Sequence, residues 1–160
     1  MKLQNDKFSN KSLSILAWKL SIGSALSWEV AKLLGSDHPY LAPLSVILTI
    51  QSTIDKTVSL SIKRFIGTVI GILVTVMLAR HLTVSGWGLG ILILLGCYIS
   101  IFLKLDKKIL HQVSLTILFV YVFEHQSKQY ATDRLRDTLI GILISGIIQL
   151  LFFRLTSRKT

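Results

Sequence analysis

The chain has 160 residues, 51% of them hydrophobic and 16% charged, with a formal charge of +10 at pH 7. Its mean hydropathy of +0.62 lies beyond most soluble domains and leaves no stretch from which a separate soluble core could be built. A basic pI can mark nucleic-acid binding, but the cations here are sorted by loop between apolar runs, in the manner of a topology signal. Nucleic acid is therefore excluded as a partner.

Six apolar stretches follow one another. They predict helices near residues 13–34, 39–54, 61–80, 83–103, 108–124 and 133–154. The expected fold is all-α, one integral membrane domain over residues 1–160, built as a bundle of six transmembrane helices. Helix 1 carries Lys19 and Glu29 inside it and lacks a small-residue cleavage site, so it reads as a helix and not as a secretory leader. Gly35 suits the end of that helix and Pro39 the start of the next. Helix 3 reaches a full span of about 20 residues only if its first turns take in Lys63 and Arg64. Neither has an acid beside it in sequence, so both read as uncompensated. Helix 4 holds Gly86, Gly88, Gly90 and Gly96, a packing face with no preceding strand that could make it a nucleotide loop. Cys97 is the one cysteine and forms no intrachain disulfide. In helix 5, His111 is titratable but reads first as a hydrogen-bonded packing residue. Helix 6 opens on Asp133, Arg134, Arg136 and Asp137, where i,i+3 spacing allows Asp133 to pair with Arg136 and Arg134 with Asp137.

With the N-terminus inside, twelve lysines and arginines fall on the inner side and five on the outer, with Lys19 within a helix. This places both termini in the cytoplasm. No metal-ligand spacing, Ser-His-Asp order, paired catalytic carboxylates or phosphate loop is present, so neither an enzyme nor a cofactor is expected.

KRFIGTVIGIL at residues 63–73 and DRLRDTLIGIL at 133–143 align at a shift of 70, pairing Arg64 with Arg134, Thr68 with Thr138 and Gly71 with Gly141. Three helices per copy would turn the second copy upside down, a 3+3 inverted repeat of the kind transporters use; chance alignment of apolar helices is the alternative. One face repeats every four residues in each: Gly67, Gly71, Thr75, Ala79 in helix 3 and Asp137, Gly141, Ser145, Gln149 in helix 6. The first suggests close packing, the second a lined cavity. Charges in lipid are costly and should face protein or water, which makes Lys19, Lys63, Arg64, Arg134, Arg136 and Asp137 the candidate substrate path. The alternatives are salt bridges within the outer cluster and snorkelling of Lys63 and Arg64 to lipid phosphates.

The sequence resembles the aromatic acid exporter and fusaric acid resistance superfamily. His38-Pro39-Tyr40 matches the family's opening of helix 2, and Gln51-Ser52-Thr53 stands where the family has Gln-Pro-Thr. Arg64, Gly67, Thr68 and Gly71 match its Arg-x-x-Gly-Thr-x-x-Gly, and Arg134 to Gly141 its closing motif. Lacking the proline, helix 2 is expected to end less sharply. The resemblance implies a short form without the family's soluble domain, in the bacterial cytoplasmic (inner) membrane, as a homodimer or higher homo-oligomer. It also implies organic anions as substrates. The leading expectation is therefore a transporter or channel for organic anions, with aromatic carboxylate export as one form, in contact with membrane lipid. The rivals are a non-transporting membrane subunit that docks another membrane protein, and a lipid-handling protein.

Overall fold

The computed structural model describes residues 2–78, 85–123 and 129–157, with the side chains among them from 12 to 155. These residues contain six α-helices and no strand: α1 Lys2–Leu33, α2 Leu41–Thr49, α3 Ile54–Leu78, α4 Gly86–Phe102, α5 Lys107–Phe123 and α6 Tyr130–Ser157. Ala79, Arg80, His81, His125 and Lys128 lie outside the described residues. Two helices are long and apolar enough to cross a membrane, α3 and α6, and α4 is a shorter apolar helix. Large apolar side chains are exposed on every helix, up to 89% for Trp87, a surface suited to hydrocarbon and not to water.

The chain forms two compact units, residues 1–61 with 139–160, and residues 62–138. In the first unit α1 packs on α2, and its core joins Ala31, Ala42, Val46, Ile50, Ile140, Ile144 and Ile148. α1 ends as its sequence predicts. Gly35 adopts φ 75°, and the Ser36 N–H donates to the Ala31 carbonyl at 3.0 Å, closing a left-handed cap that only glycine enters without strain. The turn 36–40 then leads into α2, and Pro43 occupies its first turn, where a missing N–H costs nothing.

α2 is nine residues long, about 14 Å at the helical rise, against the run 39–54 expected from hydropathy. Nor does it end gradually. Ile50 turns to φ −65°, ψ 129°, and the next N–H, of Gln51, donates to Thr57 Oγ1 at 3.0 Å. A side-chain acceptor from α3 does here what a proline would do by steric exclusion, so the helix stops sharply without one. α3 in turn begins at Ile54, seven residues before the expected start at 61.

α6 lies against α2 at Gly141. A Cβ there would sit 2.4 Å from Ser45 Cβ and 2.5 Å from the Ala42 carbonyl oxygen, so only glycine permits this approach. One turn on, Ser145 Oγ lies 2.7 Å from Thr49 Oγ1.

In the second unit α4 packs on α5, and Val74, Leu92, Ile109, Val113, Ile117 and Tyr121 form the core. Ser85 caps α4, its Oγ accepting from the Gly88 N–H at 3.1 Å, while its own N–H donates to the Tyr121 hydroxyl at 3.2 Å. The glycines of α4 do not act together as the packing face expected of them. Gly96 would meet Ile117 Cδ1 at 2.5 Å, whereas Gly86 and Gly90 face open space. α3 crosses α5 at two glycines: a Cβ on Gly67 would meet Gln112 at 2.6 Å, and one on Gly71 would meet Thr116 Cβ at 2.6 Å and the Val113 oxygen at 3.1 Å. The helix 3 stripe is thus a packing face, as its composition suggests.

Candidate functional site

Lys19 lies two turns into the apolar part of α1, yet its side chain is only 7% exposed. The ammonium donates to Gln149 Oε1 of α6 at 3.1 Å and stands 5.7 Å from the centroid of the Phe152 ring. Gln149 and Phe152 are three positions apart and share a helix face. Both line, with Lys19, a cavity of about 700 Å³ in the first unit, within the range of small-molecule sites. Phe153 completes the apolar wall, and Ser52, Thr53 and Asp55 bring the α2–α3 connection to the same space. An ammonium has three hydrogens and Gln149 takes one, so the group can bind an anion without first breaking an ion pair.

Arg64 belongs to the second unit and is 3% exposed. Its Nη1 donates to Gln112 Oε1 at 2.9 Å, while the Gln112 amide donates to Thr68 Oγ1 at 3.3 Å and Thr116 Oγ1 at 3.4 Å. Among the described residues Nε and Nη2 of Arg64 are buried and have no hydrogen-bond partner. Arg134, 1% exposed, lies close enough to repel it electrostatically. The two arginines that match across the repeat therefore share one polar centre. Arg134 also sits 4.7 Å over the Phe119 ring, a cation–π contact in a desolvated setting. Asp133 and Asp137 are buried beside it in sequence. Arg136 pairs with Asp133 at 3.3 Å, as its i,i+3 spacing predicts.

Lys63 corrects one expectation. It is not uncompensated: its ammonium forms an ion pair with Asp106, in the turn between α4 and α5. Sequence reading missed this because the two residues lie 43 positions apart. The Asp106 carboxyl is held below the usual carboxylate range by the hydrogen bond from Lys63 and by its charge, with Lys108 adding to the effect. A depressed folded-state value means the stabilisation is present above the ordinary aspartate pKa of about 3.9 and is lost as pH falls through the folded value. Asp106→Asn should thus melt slightly lower than the native chain at neutral pH, and the difference should vanish as pH falls through the depressed folded-state value. Thermal scans of both proteins at several pH values check this.

His111 lies on the exposed side of α5, so it is not a packing histidine. Cys97 is half-buried and free, its Sγ 3.5 Å from Ser114 Oγ. No group of His, Cys, Asp and Glu among the described residues could hold a metal ion. Of the family-motif positions, His38 and Tyr40 meet edge to face, 6.0 Å apart, while Gly67, Gly71 and Gly141 serve helix crossings. Gln112 and Phe119 were missed by sequence reading. A lone amide in an apolar helix was the available signal for the first; the second had none.

Apolar helices with exposed hydrocarbon faces, enclosing buried cations, are the build of a helical membrane protein. The model of the aromatic acid exporter family, member 1, matches residues 12–152, and the chain belongs to that family, which is one of exporters and not of enzymes. No curated protein and no solved structure matches the chain.

Proposed function

We propose that the protein moves organic anions, aromatic carboxylates among them, across the bacterial cytoplasmic membrane. The observation that carries this reading is Lys19 in its cavity: a buried ammonium hydrogen-bonded to a neutral amide, with the Phe152 and Phe153 rings beside it. A carboxylate takes the ammonium hydrogens while a ring stacks on the phenylalanines. Gln149 offers the ammonium an alternative partner when the anion leaves, so the site attracts without trapping, as a conducting site must.

Arg64 provides a second station. Its buried Nε and Nη2 form a guanidinium edge with the geometry that carboxylates prefer. Arg134 nearby raises the local positive potential. Arg136 and Asp137 set the charge balance at the same centre, and Lys63, tied to Asp106, holds the α4–α5 turn to α3.

The chain crosses the membrane six times with both termini in the cytoplasm, as the distribution of lysine and arginine supports. Its second pass is a broken one, α2 followed by the non-helical residues 50–53. Irregular backbone at membrane depth is tolerated where it lines a cavity, and Ser52 and Thr53 do line one. A 3+3 inverted repeat is supported by packing as well as sequence. Gly71 meets the oxygen of Val113 and the Cβ of Thr116, and Gly141 meets the oxygen of Ala42 and the Cβ of Ser45. Each third helix thus meets the other repeat's second helix through the same pair of atoms, and the contacted residues are related by a shift of 71. The alternative of a docking subunit loses its best-placed surfaces, since Gly71 and Gly141 are both used within the chain.

Purified protein in liposomes should release preloaded benzoate or hydroxybenzoate, and Arg64→Gln should slow that release by about tenfold or more, the worth of a buried charged hydrogen bond. Wild-type vesicles that pass no member of a broad organic-anion panel would overturn the proposal.

A further inference from the structure

The Lys19 cavity is not simply basic. Asp55 lines it together with Lys19, and these are the only Lys, Arg, Asp or Glu residues among the described residues that line it. The two do not form an ion pair; the ammonium donates to Gln149 and stands over the Phe152 ring, with hydrogens left to offer a ligand. Asp55 lies in the first turn of α3, where an acidic side chain is favourably placed at the positive end of the helix dipole. A ligand bringing only a carboxylate gains from Lys19 but is repelled by Asp55. One that also carries an ammonium, or a strong hydrogen-bond donor, gains from both. Phe152, Phe153, Ser52 and Thr53 line the same cavity, a lining that suits a flat ring with polar groups at its edge.

Resting on the transport reading of this cavity, we propose that its preferred ligand is an amphoteric aromatic molecule, with an anionic group for Lys19 and a cationic or donor group for Asp55. The juxtaposition of a cation and a carboxylate that form no ion pair among the described residues, in a cavity walled by rings, selects such a ligand over a simple aromatic acid. The first-turn acid also stabilises α3 whether or not it binds anything. That structural role would weaken all ligands alike, which is what the test separates.

The full chain in detergent or nanodiscs is titrated calorimetrically at pH 7 with three probes: benzoate, benzylammonium and 4-(aminomethyl)benzoate, the last a zwitterion. The zwitterion should bind about tenfold more tightly than either single-charge probe, the ordinary gain from one added charge-assisted contact. In Asp55→Asn its affinity should fall by a similar factor, while that of benzoate rises severalfold as the repulsion is removed. Asp55→Ser, which keeps a capping oxygen at the start of α3, gives the same reading should the asparagine variant fold poorly. Benzoate binding as tightly as the zwitterion to the wild type, or both probes shifting the same way in the variants, overturns the amphoteric preference. In that case benzoate binding that is lost in Lys19→Met leaves the transport reading intact. If no probe binds at all, or Lys19→Met binds benzoate like the wild type, the cavity is not the anion site and both readings fail.

Discussion

Gly141→Ala is expected to be the most destabilising small substitution in the chain. The added methyl would stand 2.4 Å from Ser45 Cβ and 2.5 Å from the Ala42 carbonyl oxygen, both well inside van der Waals contact. Ser45 Cβ and the Ala42 oxygen are fixed to the α2 backbone, so no rotamer change relieves the clash and α6 must move away from α2. Overpacking of this kind costs about 1–3 kcal/mol, and occasionally more. Shifting α6 would also stretch the Thr49–Ser145 hydrogen bond. In lipid the cost weighs more heavily than its size suggests. Helix association there rests on close packing and hydrogen bonds, without a hydrophobic driving force between helices. Thermal unfolding of the purified protein in detergent should show a clearly lower midpoint and loss of the monodisperse peak. Gly146→Ala is the matched control: nothing lies within 4 Å of its Cβ position, and alanine favours helix by about 1 kcal/mol, so its midpoint should hold or rise. Equal stability of Gly141→Ala and the native chain would mean that α6 does not cross α2 at this residue.

The largest functional effect is expected at Lys19. Removing its ammonium withdraws the one cation among the described lining residues and leaves Gln149 Oε1 without its donor. A charge-assisted hydrogen bond is worth about 1.5–3 kcal/mol, so Lys19→Met should slow benzoate release from liposomes roughly 10- to 100-fold. Methionine keeps the apolar stem that packs along α1 while losing the charge. Folding should survive, because replacing a buried charge by an apolar group of similar volume is often neutral or stabilising. Lys19→Arg retains charge and should keep partial activity, with altered preference among ring-substituted acids, since the planar guanidinium is larger than an ammonium. Unchanged release from Lys19→Met vesicles of normal stability would remove the cavity from the route.

The class of protein was legible from composition and punctuation. Hydropathy delimits the apolar runs, because it depends on residue type and local order alone. So did the cap at Gly35, whose left-handed turn depends on the missing side chain, and the pairing of Asp133 with Arg136, which lie on one helix turn apart. The chemical candidates were legible for a related reason. A charge inside an apolar helix is conspicuous whatever surrounds it, and Lys19, Arg64 and Arg134 all prove to be buried.

What surrounds those charges was decided only in three dimensions. Hydropathy carries α2 on to residue 54, but the helix ends at Thr49, because a threonine on the following helix accepts the N–H of Gln51. Lys63 and Arg64 are neighbours in sequence and look alike, yet one is neutralised by Asp106 and the other is buried with two unpartnered nitrogens among the described residues. Adjacent helix positions point about 100° apart, so the tertiary contacts of one say nothing about those of the next. Asp55 shows the same limit most clearly. By sequence it lies in the connection between a helix expected to end at 54 and one expected to start at 61. Its place beside Lys19 in one cavity depends on how α1, α6 and the α2–α3 connection meet, and no local pattern encodes that.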